Sequence, residues 1–455
     1  MNTAVRFPVI LPSETQSREF DAKLVLAGLL AERGHPVYVG SRIEIHNRIH
    51  TLPRGLYLAK DIRNSSRRMF RILGRLGFEI AAWDEEAFIF SDEASYHAKR
   101  VHPDNLGQIK TFFALGARNK ALIESAPGYR GTPVHVTGNP RIDMLGPRCR
   151  GFFDAQVEAL RNRFGDFILI NSNFGQVNHF LPDQVIARRA DGSLTNTGDA
   201  SSDFWKFRLK VFDAFKLLLP ELAQAFPDRQ IVLRPHPAEA HETWRVAAGA
   251  APNVHVVHEG SVYPWIRASA VAVHNGCTTG LESFLLDHPV IVYQPVRSAE
   301  FDDMLANQVS APVFSGDDLI AAISSVLAGK ALPQPAPEVR AQVEDFFGPL
   351  DGTLASERMD EIIAREGDSW FLEPPAAVDR LLGNIEAVGR GAVKAINSYR
   401  PGHKNSRGYN QHRFPGMSET EVGERLSRLS QVLGRFSGLA VRQVSGNIFC
   451  VSRQD

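Results

Sequence analysis

Cysteine is scarce, net charge is absent, and no long apolar run interrupts the chain. Three cysteines in 455 residues (Cys149, Cys277 and Cys450) are an odd number without metal-ligand spacing, which argues against a disulfide scaffold and for a reducing compartment. Fifty-one basic side chains stand against 51 acidic ones, and this balance argues against nucleic acid as a partner. No stretch reaches the roughly 18 apolar residues that span a bilayer, and the N-terminus lacks the basic and apolar regions of a signal peptide. The expected location is therefore the cytoplasm, with any membrane contact peripheral, at the inner face of the cytoplasmic membrane. Also missing are a Gly-x-Gly-x-x-Gly fingerprint, a Walker loop, zinc spacing and a Gly-x-Ser-x-Gly elbow. Asp302-Asp303 has no companion ligands at a useful spacing, so neither a metal nor another cofactor is expected.

What is present is an alternation of short apolar runs with helical segments. With 44% hydrophobic and 22% charged residues the chain can bury a sizeable core, and its length suits two α/β domains. The run Ala4 to Leu11, a helix closed by Gly34 and a strand from His35 to Gly40 predict a parallel sheet with right-handed crossovers. Phe78 to Trp83 reads as a strand running into Asp84, Glu85 and Glu86. A break near residues 146–151 precedes a second series that starts with Phe167-Ile-Leu-Ile-Asn171 and continues into Ser172 and Asn173. The expected domains are 1–150, 151–345 and a helical, basic C-terminal extension, 346–455.

Two pieces of the second series carry the most chemistry. Ile231-Val-Leu-Arg-Pro-His-Pro237 ends a buried strand on Arg234, His236 and Pro237. Val271-Ala-Val-His-Asn-Gly-Cys-Thr-Thr-Gly280 ends another on Asn275, Gly276, Thr278 and Thr279 before a helix that carries Glu282. Strand, small polar turn and helix is how an open α/β sheet offers backbone N–H groups to an anion at its carboxyl edge. A histidine there can hydrogen-bond a phosphate and donate a proton to a leaving group. Thr278 and Thr279, adjacent, between glycines and directly after a buried strand, fit anion binding better than an ordinary helix cap.

These pieces, together with Ser17-Arg-Glu-Phe-Asp-Ala-Lys23, Trp83-Asp-Glu-Glu86, Val136-Thr-Gly-Asn-Pro-Arg-Ile-Asp143 and Ile168-Leu-Ile-Asn-Ser-Asn-Phe-Gly175, resemble bacterial surface-carbohydrate biosynthesis proteins. Those in turn are similar to sialyltransferases, Kdo transferases and CDP-glycerol glycerophosphotransferases. The resemblance implies a GT-B-like α/β fold of two facing Rossmann-like parallel-sheet domains. It also implies a metal-independent glycosyltransferase of surface polysaccharide (capsule or lipopolysaccharide) assembly. The implied donor is a CMP-activated sugar, such as Kdo or a sialic-like acid, and the acceptor a glycan or lipid-linked glycan. Three alternatives stay open: a CDP-glycerol-type glycerophosphotransferase, a UDP-sugar epimerase of GT-B fold, and a non-catalytic polysaccharide-assembly protein.

The resemblance assigns His236 and Pro237 to a His-Pro motif and Thr278 with Thr279 to a hydroxyl pair. Asn171, Ser172, Asn173, Arg234, Asn275, Gly276 and Glu282 complete the expected donor site. Asp84, Glu85 and Glu86 fall where a catalytic acidic motif would lie, although Ala87 stands where that motif has glycine. Glu14, Glu19 and Asp21, after the first strand, are the alternative source of a base or of acceptor contacts. The basic run 399–413 reads as a solvated loop or as a contact for a membrane surface or an anionic acceptor.

Overall fold

The computed structural model describes residues 6–85, 93–186, 202–348, 350–371, 374–399, 410–411 and 413–454. Glu86 and most of the basic run 399–413 lie outside the described residues. The chain divides into two compact units: unit 1 is Met1–Phe152 with Glu344–Asp455, and unit 2 is Phe153–Val343. The stretch expected to stand apart as a C-terminal extension thus belongs to the N-terminal unit.

Unit 1 is built on an eight-stranded sheet. Its strands are β1 (Val9–Ser13), β2 (Val37–Ser41), β3 (Leu56–Ala59), β4 (Glu79–Trp83), β5 (Thr111–Ala114) and β6 (Val134–Val136). The C-terminal hairpin β13 (Leu439–Ser445) and β14 (Ile448–Arg453) completes it, in the order β13-β14-β2-β1-β3-β4-β5-β6. The six N-terminal strands run parallel, and β14 adds antiparallel to β2. Strands β1, β3 and β5 are buried along their whole length, as expected of parallel strands covered on both faces. The helix Asp21–Glu32 is buried from Ala22 to Ala31, so it has no polar stripe.

The returning chain is fastened by polar groups. Asp143 accepts the backbone N–H groups of Ala355 and Ser356 at 2.7 and 2.9 Å and the Ser356 hydroxyl at 2.7 Å. It thereby caps the helix Ala355–Glu366, and burial pushes its own pKa up to about 6. A reciprocal cap between Ser418 and Glu421 starts the helix Glu419–Leu433, which Gly434 ends in the left-handed region. The helix Ala377–Ser398 lies on Arg67–Leu76 and Arg42–Arg48.

Unit 2 is a six-stranded, wholly parallel sheet of β7 (Ile168–Asn171), β8 (Ile231–Arg234), β9 (Val254–Val256), β10 (Val271–His274), β11 (Val290–Tyr293) and β12 (Ala311–Val313). Its order is β12-β11-β10-β7-β8-β9. The long helix Ser202–Ala225 contributes Phe212 and Phe215, which pack with Phe174 and Trp244. In both units the chain leaves the first strand in one direction and later crosses to its other side. Such a reversal opens a crevice beyond the carboxyl ends of the central strands.

Candidate functional site

In unit 1 the strand ends deliver charge. Glu14 follows β1, Arg42 follows β2, Lys60 and Asp61 follow β3, and Asp84 and Glu85 follow β4. Because β2, β1, β3 and β4 are neighbours in that order, these groups form one row along the carboxyl edge. A π-helical turn, Gln16–Phe20, then leads into the helix Asp21–Glu32 and supplies Glu19 and Lys23. Single π-turns recur at functional sites, where they re-aim a side chain.

The result is a buried network. Lys23 Nζ donates to the Pro12 carbonyl at 2.6 Å and lies 2.9 Å from Glu19 and 2.7 Å from Glu85. Lys60 pairs with Glu14, and stands 3.6 Å from Glu19 and 3.8 Å from Glu85. Lys23, Glu19, Lys60 and Glu85 are all buried, while Glu14 is partly exposed. One member of each acidic group that sequence reasoning held as alternatives, Glu85 and Glu19, is therefore in contact with the same two lysines. Neither lysine was singled out from the sequence; a buried-looking cation inside an otherwise apolar helix was the only signal available.

The environment separates the carboxylates. Burial, reinforced by the neighbouring Glu19, pushes Glu85 up to about 7 against the pull of Lys23 and Lys60. For Glu19, burial opposes ionisation, but Lys23, Lys60 and the Glu14 N–H outweigh it and hold the pKa well below the ordinary value. Burial also works against Glu14, and Lys60, Arg42 and Arg413 together hold it at about 2. A carboxyl poised near neutrality beside carboxylates that stay ionised is how proteins assign acid and base roles.

Asp84 and Glu85 face different partners, as the alternation of extended backbone dictates. Asp84 is paired with Arg100, whose Nε lies at 2.8 Å, and accepts from the Tyr96 hydroxyl at 3.4 Å. It holds the helix Glu93–Arg100, which corrects its expected place beside Glu85 as a base. Asp21 likewise points elsewhere, to Arg425 at 2.5 Å. Glu86 lies outside the described residues.

In unit 2 the ends of β7, β8 and β10 converge as the motifs imply. Glu239, which sequence reasoning passed over, is their hub. It accepts from Ser172 Oγ (2.8 Å), Phe174 N (3.0 Å), His236 N (2.9 Å) and Trp244 Nε1 (2.8 Å). Asn173 Nδ2 donates to the Gly276 carbonyl at 2.9 Å. Arg208 Nη1 donates to Asn275 Oδ1 at 2.9 Å, and its Nη2 to the Asn173 carbonyl. Gly276 takes a φ of +55°, a conformation that favours glycine, and its N–H meets Asn307 Oδ1 at 3.0 Å.

His236 Nδ1 accepts from Ala238 N at 3.2 Å, which leaves the ring proton of the neutral imidazole on Nε2. Half-buried Pro237 follows it. Among the described residues, Asn171 Nδ2 and Thr279 Oγ1 are buried polar atoms without a hydrogen-bond partner, at the ends of β7 and β10. Thr278 is half-buried, and Glu282 is buried within the helix Thr279–Leu285. Arg234 differs from its expected role. It donates to the carbonyls of Glu259 (2.7 Å) and Gly260 (2.5 Å) over the Trp265 ring, so it holds the loop after β9. A cavity of about 710 Å³ lined by Gln294, Arg297, Asn307 and Ser310 lies beyond β11 and β12.

The close approach of helix and strand at this site is testable. A Cβ added at Gly280 would lie 2.5 Å from His274 Nε2 and 2.7 Å from the Ala306 carbonyl. His274 is buried and held to Ser310 at 2.8 Å. Gly280→Ala is therefore expected to cost about 1–3 kcal/mol, the range for overpacking. An unchanged denaturant midpoint would contradict this packing.

No protein-family model and no curated protein matches the chain. Solved structures do. One is a UDP-N-acetylglucosamine 2-epimerase, with a TM-score of 0.50, 12% identity, and coverage of 80% of this chain and 97% of that one. The UDP-GlcNAc 2-epimerase from Neisseria meningitidis bound to UDP-GlcNAc matches with a TM-score of 0.47 and 14% identity, over 78% and 99% of the two chains. The Methanocaldococcus jannaschii UDP-GlcNAc 2-epimerase in complex with UDP-GlcNAc and UDP matches with a TM-score of 0.47 and 11% identity, over 79% and 99%. At 12% identity the first likeness is one of fold: GT-B-like, with two parallel-sheet Rossmann-like units. Among the described residues, no helix is long and apolar enough to cross a membrane, and no group of three or more His, Cys, Asp or Glu is placed to hold a metal ion.

Proposed function

We propose that this chain is a nucleotide-sugar enzyme of surface-carbohydrate assembly. Unit 2 holds the nucleotide phosphates at the ends of β7, β8 and β10, and the carboxylate–lysine network of unit 1 moves the proton. The observation that carries this reading is the convergence of Glu14, Glu19 and Glu85 on Lys23 and Lys60, with Glu85 near neutrality. Glu85 stores or accepts a proton at neutral pH, the lysines keep its neighbours ionised, and Glu14 is the member that reaches the surface. In unit 2, His236 Nε2–H, Asn171 Nδ2 and the hydroxyls of Thr278 and Thr279 are the donors offered to phosphate oxygens.

The reaction read from the motifs is transfer from a CMP-linked sugar to a glycan acceptor, with the proton leaving an acceptor hydroxyl. A second reading, epimerisation of a UDP-linked sugar, draws support from the carboxyl near neutrality. Taking a proton from carbon and returning one to the opposite face needs a group to remove it and a group to deliver it, and a carboxyl near neutrality can serve in either role. Solvent deuterium separates the two: epimerisation places it on a sugar carbon, and transfer does not. A thermal-shift series with UDP, CMP and CDP then names the base. His236→Ala is expected to weaken the stabilising nucleotide by about 1.5–3 kcal/mol, the scale of a charge-assisted hydrogen bond. Equal affinity in wild type and variant would remove His236 from the site, and no stabilisation by any nucleotide would sink the proposal.

A further inference from the structure

Unit 1 contains a second feature, which shares Glu14 and its partners Arg42 and Arg413 with the proton network but is built mainly from other residues. A cavity of about 480 Å³ opens beside Glu14, and its wall carries Arg42, Arg68, Arg390, Lys394 and Arg413. Five cationic side chains thus line the cavity with one carboxylate, Glu14, which is already engaged by Arg42 at 3.1 Å, by Arg413 at 2.5 Å and by Lys60. Outside the lining, Arg68 reaches Glu386 at 3.4 Å and Arg42 lies 3.9 Å from Asp61. Arg390 has no carboxylate within ion-pair distance among the described residues, and its Nη1 is buried without a hydrogen-bond partner. Its other terminal nitrogen lies 3.4 Å from His46 Nδ1. Burial pushes Arg390 down to about 10, and Arg42 and Arg68 add to that. Burial, with Arg42, Arg390 and Lys394, keeps His46 neutral. Like charges gathered in a partly enclosed site strongly favour an anion, and guanidinium forks suit phosphate oxygens.

Two of these cations, Arg390 and Lys394, come from the helix Ala377–Ser398. Its inner face is packed: Ala387 joins the core and Glu386 meets Arg71 and Arg75. Its outer face exposes Val378, Leu381, Ile385, Val388, Val393 and Ile396, each by more than half. They recur at intervals of three to five residues along about five turns, as an unpartnered apolar stripe does. Val393 belongs to both features, since it lines the cavity and is exposed. Soluble surfaces rarely keep so continuous an apolar patch without an occupant.

We propose that the cavity and the stripe form one site for a lipid phosphate. The phosphoryl group sits among Arg390, Lys394 and their neighbours, and the hydrocarbon lies along the apolar face of the helix. Charge decides between this occupant and a second copy of the chain. Two-fold pairing through the stripe would bring two sets of the same cations together, whereas a lipid phosphate supplies the opposite charge next to its own apolar chain. The site is independent of nucleotide binding by unit 2, so its test contains no nucleotide.

The experiment is co-sedimentation of the full chain with phosphatidylcholine vesicles, with and without phosphatidic acid, alongside thermal shift with inorganic pyrophosphate. The wild type is expected to bind vesicles at least tenfold more strongly when they contain phosphatidic acid, and pyrophosphate should compete. Arg390→Gln and, separately, Lys394→Gln should each lower both vesicle binding and the pyrophosphate shift severalfold. Ile385→Ser with Ile396→Ser should abolish vesicle binding and leave the pyrophosphate shift intact. A pyrophosphate shift without vesicle binding would overturn the lipid assignment in favour of a soluble anion. Vesicle binding that neither cation variant alters would also overturn it. So would a stable dimer that the isoleucine variant dissociates.

Discussion

Glu85→Gln is expected to lower turnover about 100-fold or more, the scale of lost general acid–base catalysis, while nucleotide affinity measured on the same protein stays within about twofold. The amide keeps the size and shape of the carboxyl but cannot exchange a proton with Lys23 or Lys60, 2.7 and 3.8 Å away. Wild-type activity should rise with pH through about 7, where Glu85 ionises, if its ionised form is the working base, and this limb should vanish in the variant. Glu14 and Glu19 stay ionised throughout that range, so they cannot produce the same limb. Normal turnover with an unaltered pH profile would reduce Glu85 to a structural member of the network. Asp84→Asn is the control. Its carboxylate is bound to Arg100 and Tyr96, so it should affect the stability of unit 1 more than proton transfer.

The largest stability effect is expected from Lys23→Met, at about 3–5 kcal/mol, the usual consequence of removing one partner from a buried ion pair. Lys23 is buried between Glu19 and Glu85, which are themselves buried, and among the described residues only Lys60, at 3.6 and 3.8 Å, would remain near them. The loss should depend on pH in a defined direction. Glu85 is raised above its ordinary value, so the folded protein holds more protons than the unfolded chain between about 4.5 and 7, and stability falls as pH rises across that window. Glu19 is held low, so its contribution is fully present above its ordinary value of 4.5 and is lost as pH falls toward its folded value. Removing Lys23 should therefore be felt more at pH 8, with both carboxyls ionised, than at pH 5.5, where Glu85 keeps its proton. Adding Glu85→Gln to Lys23→Met should recover part of the loss by deleting one uncompensated charge. Urea unfolding at the two pH values measures both effects. Equal losses at pH 5.5 and 8, with no recovery in the double variant, would show that Lys23 acts through packing alone.

Much of this architecture is written locally. Short β-branched runs such as Ile231–Arg234 and Val271–His274 are too apolar for anything but buried parallel strands. The polar residues that follow them must then gather at one edge, because parallel strands all end on the same side. That reasoning sets Asn171, His236, Asn275 and Thr279 at or just beyond strand ends on one edge of a sheet, and it locates the acidic residues after β1 and β4. It could not say which strands are adjacent. Only the order β2-β1-β3-β4 inserts Lys60 between Glu14 and Glu85, and only the π-turn at Gln16–Phe20 turns Lys23 inward to join them. The same holds for Glu239, whose neighbours Ser172 and Phe174 lie more than sixty residues away along the chain, and for Asp143, which caps a helix 212 residues later. Local runs decide where charge leaves a strand, because side-chain period and burial act over a few residues. Which charges meet, and how far their pKa values part, depends on contacts between distant segments and on the burial those contacts create.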